Sequence, residues 1–151
     1  MIRTLAVPLA LLALAAVPAA GASSSHTLQF ISVQKQFTVT PQGDPTVGSR
    51  LIFADAIYNR VPQFGKPAGA RVGRVEVVCT IVTMGSAQCM VTAHLPSGQI
   101  VAAGGMVLKE GRATNRFAIT GGAGAYATAR GTVLSRDVSP TKSIVTLQLA
   151  G

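Results

Sequence analysis

From about residue 27 onward, short runs rich in Val, Ile and Thr alternate with turn residues such as Gly, Pro, Asn and Asp. From Ser23 to the end, Val, Ile and Thr total 35, whereas the helix formers Leu, Glu and Lys total only 13. This balance disfavours a helical bundle and favours a β protein. The pattern predicts eight strands, at residues 27–40, 48–58, 70–83, 86–95, 99–109, 115–120, 125–136 and 142–149.

Short connections between eight consecutive strands predict an all-β, eight-stranded antiparallel up-and-down barrel, which leaves no exposed edge strand. The interior of such a barrel is either filled by side chains or holds one small ligand. A two-sheet sandwich is the competing architecture. Gly104 and Gly105 favour the barrel, because small residues in mid-strand allow the coiling that closure requires. The glycines of residues 121–124 are expected to form a bend between strands, since no helix pattern of a nucleotide-binding loop follows.

The first 22 residues have the three parts of a secretory signal peptide: a cationic start, an apolar Leu/Ala run and an Ala-x-Ala site ending at Ala22. Pro8 and Pro18 interrupt the run, which makes a membrane-spanning anchor the weaker interpretation. We therefore expect cleavage after Ala22, a secreted protein, and one barrel domain over residues 23–151.

The mature part carries 12 Lys and Arg against 5 Asp and Glu, but the basic residues are scattered and contain no run of three. Few aromatic residues are available for base stacking, and export makes nucleic acid a poor partner. We therefore interpret the positive charge as favouring solubility and weak attraction to anionic cell envelopes.

Two cysteines, Cys79 and Cys89, flank a predicted turn near Met84. If a hairpin turns about Met84, the numbers of paired residues sum to 168, which places Cys79 directly opposite Cys89. A cross-strand disulfide is then plausible and fits an oxidising compartment. A redox or metal site would require a C-x-x-C motif or further ligands, and neither is present.

The same register places Arg74 opposite His94 and Glu76 opposite Thr92, on the face opposite the apolar one. If this polar patch faces inward, Arg74, Glu76 and His94 form a ligand site with an acid, a base and a cation. If it faces outward, it is a solvated ion-pair face worth under about 1 kcal/mol. The outward orientation is favoured, because burying four polar groups is costly.

Residues 117–131 contain the most specific motif of the chain, Ile119-Thr120-Gly121-Gly122-Ala123-Gly124-Ala125-Tyr126 followed by Ala129-Arg130-Gly131. With residues 52–58, 69–74 and 95–100, it resembles the dirigent / allene oxide cyclase barrel superfamily, particularly its secreted bacterial members. Ala123 replaces the usual Thr of the signature.

The resemblance covers nearly the whole mature chain and implies an eight-stranded barrel, often trimeric, with a hydrophobic cavity. Plant relatives steer radical coupling stereochemically, or cyclise an allene oxide without cofactors. The resemblance therefore implies no cofactor and a small hydrophobic molecule as the partner.

Asp55 is the candidate catalytic residue. It lies among apolar neighbours in residues 51–58, where partial desolvation would raise the pKa of its carboxyl and suit a proton donor or acceptor. The superfamily carries acidic residues at a similar place. The alternative is a structural acid, paired with an Arg or a backbone N–H.

Tyr126 and Arg130 are candidate ligand contacts in the seventh predicted strand, and Arg130 is expected to offset Asp55. Their alternative roles are packing for Tyr126 and a surface ion pair for Arg130.

Three functions remain open: a cofactor-free isomerase, cyclase or stereo-directing protein; a carrier of an apolar metabolite; and a structural envelope protein with a filled barrel. A serine hydrolase is poorly supported, because no G-x-S-x-G element is present and His94 is the only His within the predicted strands. Two His and no cysteine cluster make a zinc site improbable.

Overall fold

The computed structural model describes residues 26–109 and 113–150, and these form a closed antiparallel barrel. The predicted signal peptide lies outside the described residues. Each strand pairs with the next along the chain, and β1 pairs with β8, which confirms the predicted architecture. The strands are β1 His26–Thr40, β2 Arg50–Asn59, β3 Arg71–Thr83, β4 Ser86–Leu95, β5 Gly98–Val107, β6 Thr114–Gly124, β7 Arg130–Ser139 and β8 Lys142–Ala150. No described residue belongs to a helix long and apolar enough to cross a membrane.

The predicted register of the cysteine hairpin is confirmed. In the β3–β4 pairing, Cys79 faces Cys89, Arg74 faces His94 and Glu76 faces Thr92. The two cysteines form a disulfide with a Cα–Cα distance of 4.0 Å, and both are buried in the barrel core. The disulfide therefore joins two neighbouring strands on their inner face.

One end of the barrel is covered by the loop between β2 and β3. Asn59 is fully buried, and its side-chain amide donates hydrogen bonds to the carbonyl oxygens of Gln63, Lys66 and Pro67. This arrangement holds Phe64 against the interior, where its ring stacks on that of Phe30 with a centroid distance of 6.1 Å. The loop thereby closes the core at this end.

The glycine segment differs from the predicted bend. Strand β6 continues through residues 121–124, and the chain turns only afterwards, at residues 125–129. Gly122 pairs with Ile100 of β5. A Cβ atom at Gly122 would overlap the carbonyl oxygens of Gln99 and Tyr126. Glycine is therefore needed at position 122 because the backbone of β5 and the backbone of the turn after β6 both approach it closely.

We predict that Gly122→Ala destabilises the barrel by about 1–3 kcal/mol or more, the usual cost of forcing an extra methyl into a filled space. Gly105→Ala is the matched control, because a Cβ at Gly105 meets no atom within 4 Å. The control should change stability by less than about 0.5 kcal/mol. Urea denaturation of both variants measures the difference, and equal midpoints would contradict the prediction.

Candidate functional site

The barrel encloses a cavity of about 1010 Å³. It extends to the end opposite the Phe64 loop, where the turn between β7 and β8 lies. Lys109 and Lys142, both exposed, belong to this open end. A cavity of this size matches the upper range for small-molecule sites.

Two chemically different walls surround the cavity. The wall formed by β3–β6 is apolar apart from Asn115, whose Oδ1 accepts a hydrogen bond from the backbone N–H of Val107 at 3.0 Å. The wall formed by β7, β8, β1 and β2 contains polar as well as apolar side chains. The apolar wall includes Val75, Val77, Val91, Ala93, Ile100, Ala102, Met106 and Phe117. The polar side chains of the other wall are Ser135, Asp137, Ser143, Ser32, Gln34 and Asp55, with Ser139 and Lys142 at its open end.

Asp55 lies on the cavity wall, between Phe53 and Ile57 along the inner face of β2. Its Oδ2 accepts a hydrogen bond from Ser32 Oγ at 2.7 Å, whereas its Oδ1 is buried without a hydrogen-bond partner. Desolvation by burial raises the pKa of the Asp55 carboxyl above the ordinary 3.8, although the Ser32 hydrogen bond opposes this shift. One oxygen of the carboxyl is thus fixed by Ser32, and the other is buried without a hydrogen-bond partner.

Asp55 belongs to a row of inward polar side chains that crosses four strands. Ser32 on β1 is the register partner of Ser143 on β8. Ser143 Oγ in turn donates a hydrogen bond to Asp137 Oδ1 on β7 at 2.8 Å. Sequence analysis missed Ser32, Ser143 and Asp137. The available signal was their period-two spacing with inward apolar residues such as Phe30 and Val145, but using it requires the β1–β8 register.

Arg74, Glu76 and His94 lie outside the cavity, on the outer wall of β3 and β4. Arg74 Nε donates to Glu76 Oε1 at 2.9 Å, and His94 Nε2 lies 3.4 Å from Glu76 Oε2. The hydrogen bond from Arg74 is the largest cause that lowers the pKa of the exposed Glu76 carboxyl. The structure brings these three residues together as the register predicts. Ligand binding by them stays a prediction, for a ligand outside the barrel.

Tyr126 and Arg130 are not on the cavity wall. Residues 125–129 are a turn rather than the start of the seventh strand, and there the partly buried Tyr126 packs against the core. This burial raises the pKa of its hydroxyl. The predicted pairing of Arg130 with Asp55 is wrong, because Arg130 begins β7 and is exposed. Its Nη1 donates to the carbonyl oxygen of Ala129 at 2.7 Å instead.

Among the described residues, no group of three or more His, Cys, Asp or Glu side chains is placed to hold a metal ion. The described part of the cavity wall carries two carboxyls, Asp55 and Asp137, each with one oxygen hydrogen-bonded to a serine, on a largely apolar surface.

No protein-family model matches the chain, and no curated protein matches it. Solved structures do match. A structure described as a pyocyanin demethylase is 26% identical, with a TM-score of 0.68 over 83% of this chain and 100% of its own. An exo-specific intermolecular Diels-Alderase is 18% identical, with a TM-score of 0.70 over 87% and 100%. A pterocarpan synthase dirigent protein is 14% identical, with a TM-score of 0.61 over 91% and 94%.

The raised pKa of Asp55 predicts a pH dependence of stability. The folded state binds the carboxyl proton more tightly than the unfolded state, so stability is lost as pH rises from 3.8 through the folded-state pKa. Asp55→Asn does not titrate and keeps an acceptor for Ser32. Its unfolding free energy relative to the parent protein should therefore increase with pH across this window. Urea denaturation from about pH 3.5 to about pH 7 measures the unfolding free energy of both proteins. A difference between the two free energies that stays constant with pH would refute the prediction.

Proposed function

We propose that this chain, a barrel of the dirigent and allene oxide cyclase superfamily by its fold, is a cofactor-independent isomerase or cyclase. The resemblance read from four sequence segments is confirmed by the closed eight-stranded barrel and its structural neighbours. The substrate we propose is a small, largely apolar molecule held inside the barrel. The observation that carries this proposal is a half-buried carboxyl, with one oxygen buried and unpartnered, on the wall of a largely apolar cavity.

The proposed mechanism uses the cavity for positioning and Asp55 for proton transfer. The apolar wall holds the substrate in a reactive conformation and excludes water, which lowers the entropic part of the barrier. The Asp55 carboxylate accepts a proton from one atom of the substrate and returns it to another. Ser32 fixes the orientation of the carboxyl through Oδ2. The substrate keeps its atoms and electrons, so the step needs no oxidant or reductant.

The structural neighbours support a cavity that guides ring formation or coupling. They include a Diels-Alderase and a dirigent protein, whose barrels share this fold at low sequence identity. The pyocyanin demethylase, which is 26% identical to this chain, is named for pyocyanin, and that molecule is therefore a useful first probe.

Two alternative functions were left open by the sequence. A carrier of an apolar metabolite would use the same cavity of about 1010 Å³ without needing Asp55. A structural envelope protein would have a filled barrel, which this cavity disfavours. The role of Asp55 therefore separates the enzyme from the carrier.

Asp55→Asn tests the proposal. Ligands are first found by the rise in melting temperature with pyocyanin, fatty-acid-derived and polyketide-like compounds, and converted ligands are then identified as substrates. We expect Asp55→Asn to lower turnover by about 10²- to 10⁴-fold, the usual contribution of a general acid or base. Asp44→Asn is the matched control, since Asp44 is exposed in the loop before β2 and does not line the cavity. Unchanged turnover in Asp55→Asn would favour the carrier.

We further propose that the mature protein is secreted and assembles with copies of itself as a trimer. Ile52, Val78 and Met90 support assembly, because they are register partners on the outer wall and are 38%, 44% and 60% exposed.

Native mass spectrometry of the secreted protein should show a first residue Ser23, an oxidised cysteine pair and a trimer. Retained Met1 would contradict export, and a monomer would contradict assembly.

A further inference from the structure

Among residues 26–109 and 113–150, no Lys, Arg or His side chain forms an ion pair with the carboxyl of Asp55. The ion pair between Arg74 and Glu76 lies on the outer wall, as does the contact between His94 Nε2 and Glu76 Oε2. Arg130, the cation expected from the sequence to offset Asp55, bonds to a backbone carbonyl instead. The lysines that line the cavity, Lys109 and Lys142, are exposed at its open end. A buried ionised carboxyl with an unpartnered oxygen is costly, and a positive group beside it would remove much of that cost.

The serine and carboxylate side chains of the polar row offer acceptors, whereas Gln34, the register partner of Asp55 on β1, carries a side-chain amide that can both donate and accept. A serine hydroxyl has one hydrogen to donate. Ser32 donates its hydrogen to Asp55, and Ser143 donates its hydrogen to Asp137. What remains on both hydroxyl oxygens is lone pairs, and ionised carboxylates are acceptors only. The row of Asp55, Ser32, Ser143 and Asp137 therefore complements a ligand that brings hydrogens and positive charge.

We propose that the cavity takes a molecule with an apolar body and one protonated amine, with the nitrogen held beside the Asp55 carboxyl and the neighbouring serine oxygens. This inference rests on the cavity described under the proposed function and assigns the chemical class of its ligand. The apolar body lies against the β3–β6 wall, and the ammonium group lies against the wall of β7, β8, β1 and β2. A charge-assisted hydrogen bond of this kind is about twice as strong as a neutral one.

The overall charge of the protein makes the proposal easy to distinguish from general electrostatics. The chain carries a formal net charge of +8, which on its own favours anionic ligands. A preference for a cation therefore has to come from local groups in the cavity. Such local contacts in a partly desolvated site are screened less by salt than the long-range field is.

Three probes with the same naphthalene body test the inference: 2-naphthylmethylamine, 2-naphthylmethanol and 2-naphthylacetic acid. Calorimetric titration at neutral pH should give the order amine, alcohol, acid, with the amine about 10- to 100-fold tighter than the alcohol. In Asp55→Asn, the affinity for the amine should fall to that for the alcohol, whereas binding of the alcohol changes little. Asp44→Asn, which alters an exposed carboxyl outside the cavity, should keep the original order.

Three results would overturn the inference. Tightest binding of the acid would show that the lysines at the open end dominate recognition. Equal binding of all three probes would show that only the naphthalene body is recognised, and absence of binding by all three would show that the cavity does not take this class. The order of affinities of the three probes for the parent protein tests the inference even if Asp55→Asn folds poorly. Binding of the amine in the expected order, together with unchanged turnover of a substrate in Asp55→Asn, would defeat the proposed isomerase while leaving this inference intact.

Discussion

The pairing of β1 with β8 is the constraint on which the rest of the molecule depends. It joins residues from the two ends of the described chain, such as Leu28 with Leu147, and leaves no strand with a free edge. In a closed barrel, a slip of one residue in any strand would turn its inward side chains outward. The alternation of Phe30, Ser32 and Gln34 along β1 is therefore fixed by pairing on both sides, with β2 and with β8.

The two ends of the closed barrel differ, because the β2–β3 loop covers one end and the cavity extends to the other. At the covered end, Asn59 satisfies three backbone carbonyls of its loop and thereby holds Phe64 over Phe30. The close approach at Gly122 tightens the chain near the turn after β6. No comparable set of hydrogen bonds to Asn or Gln side chains is found at the β7–β8 turn in the described residues. A molecule bound in the cavity therefore has its depth set by the packed end.

Asp55 shows how local instability and chemistry are linked in this barrel. An apolar side chain at this position would avoid the desolvation of a carboxyl, and the hydrogen bond from Ser32 offsets that desolvation only in part. Residues that break a local rule of packing are often found at functional sites. The carboxyl that costs stability is also the group to which we assign proton transfer and recognition of a cation.

Local sequence was enough to establish the strands, the register of the cysteine hairpin and the apolar setting of Asp55, because each depends on residues close together in the chain. The turn near Met84 pairs Thr83 with Ser86, and a register shift between Ile81 and Thr83 then sets Cys79 opposite Cys89. The row from Asp55 to Asp137 depends on contacts between distant strands, such as Ser32 with Ser143, which no local pattern specifies. The tertiary structure also decided against Arg130 as the partner of Asp55, since the turn at residues 125–129 starts β7 later than its composition suggests. Strand propensity is a property of neighbouring residues, whereas the direction a side chain faces in a barrel is set by closure of the whole sheet.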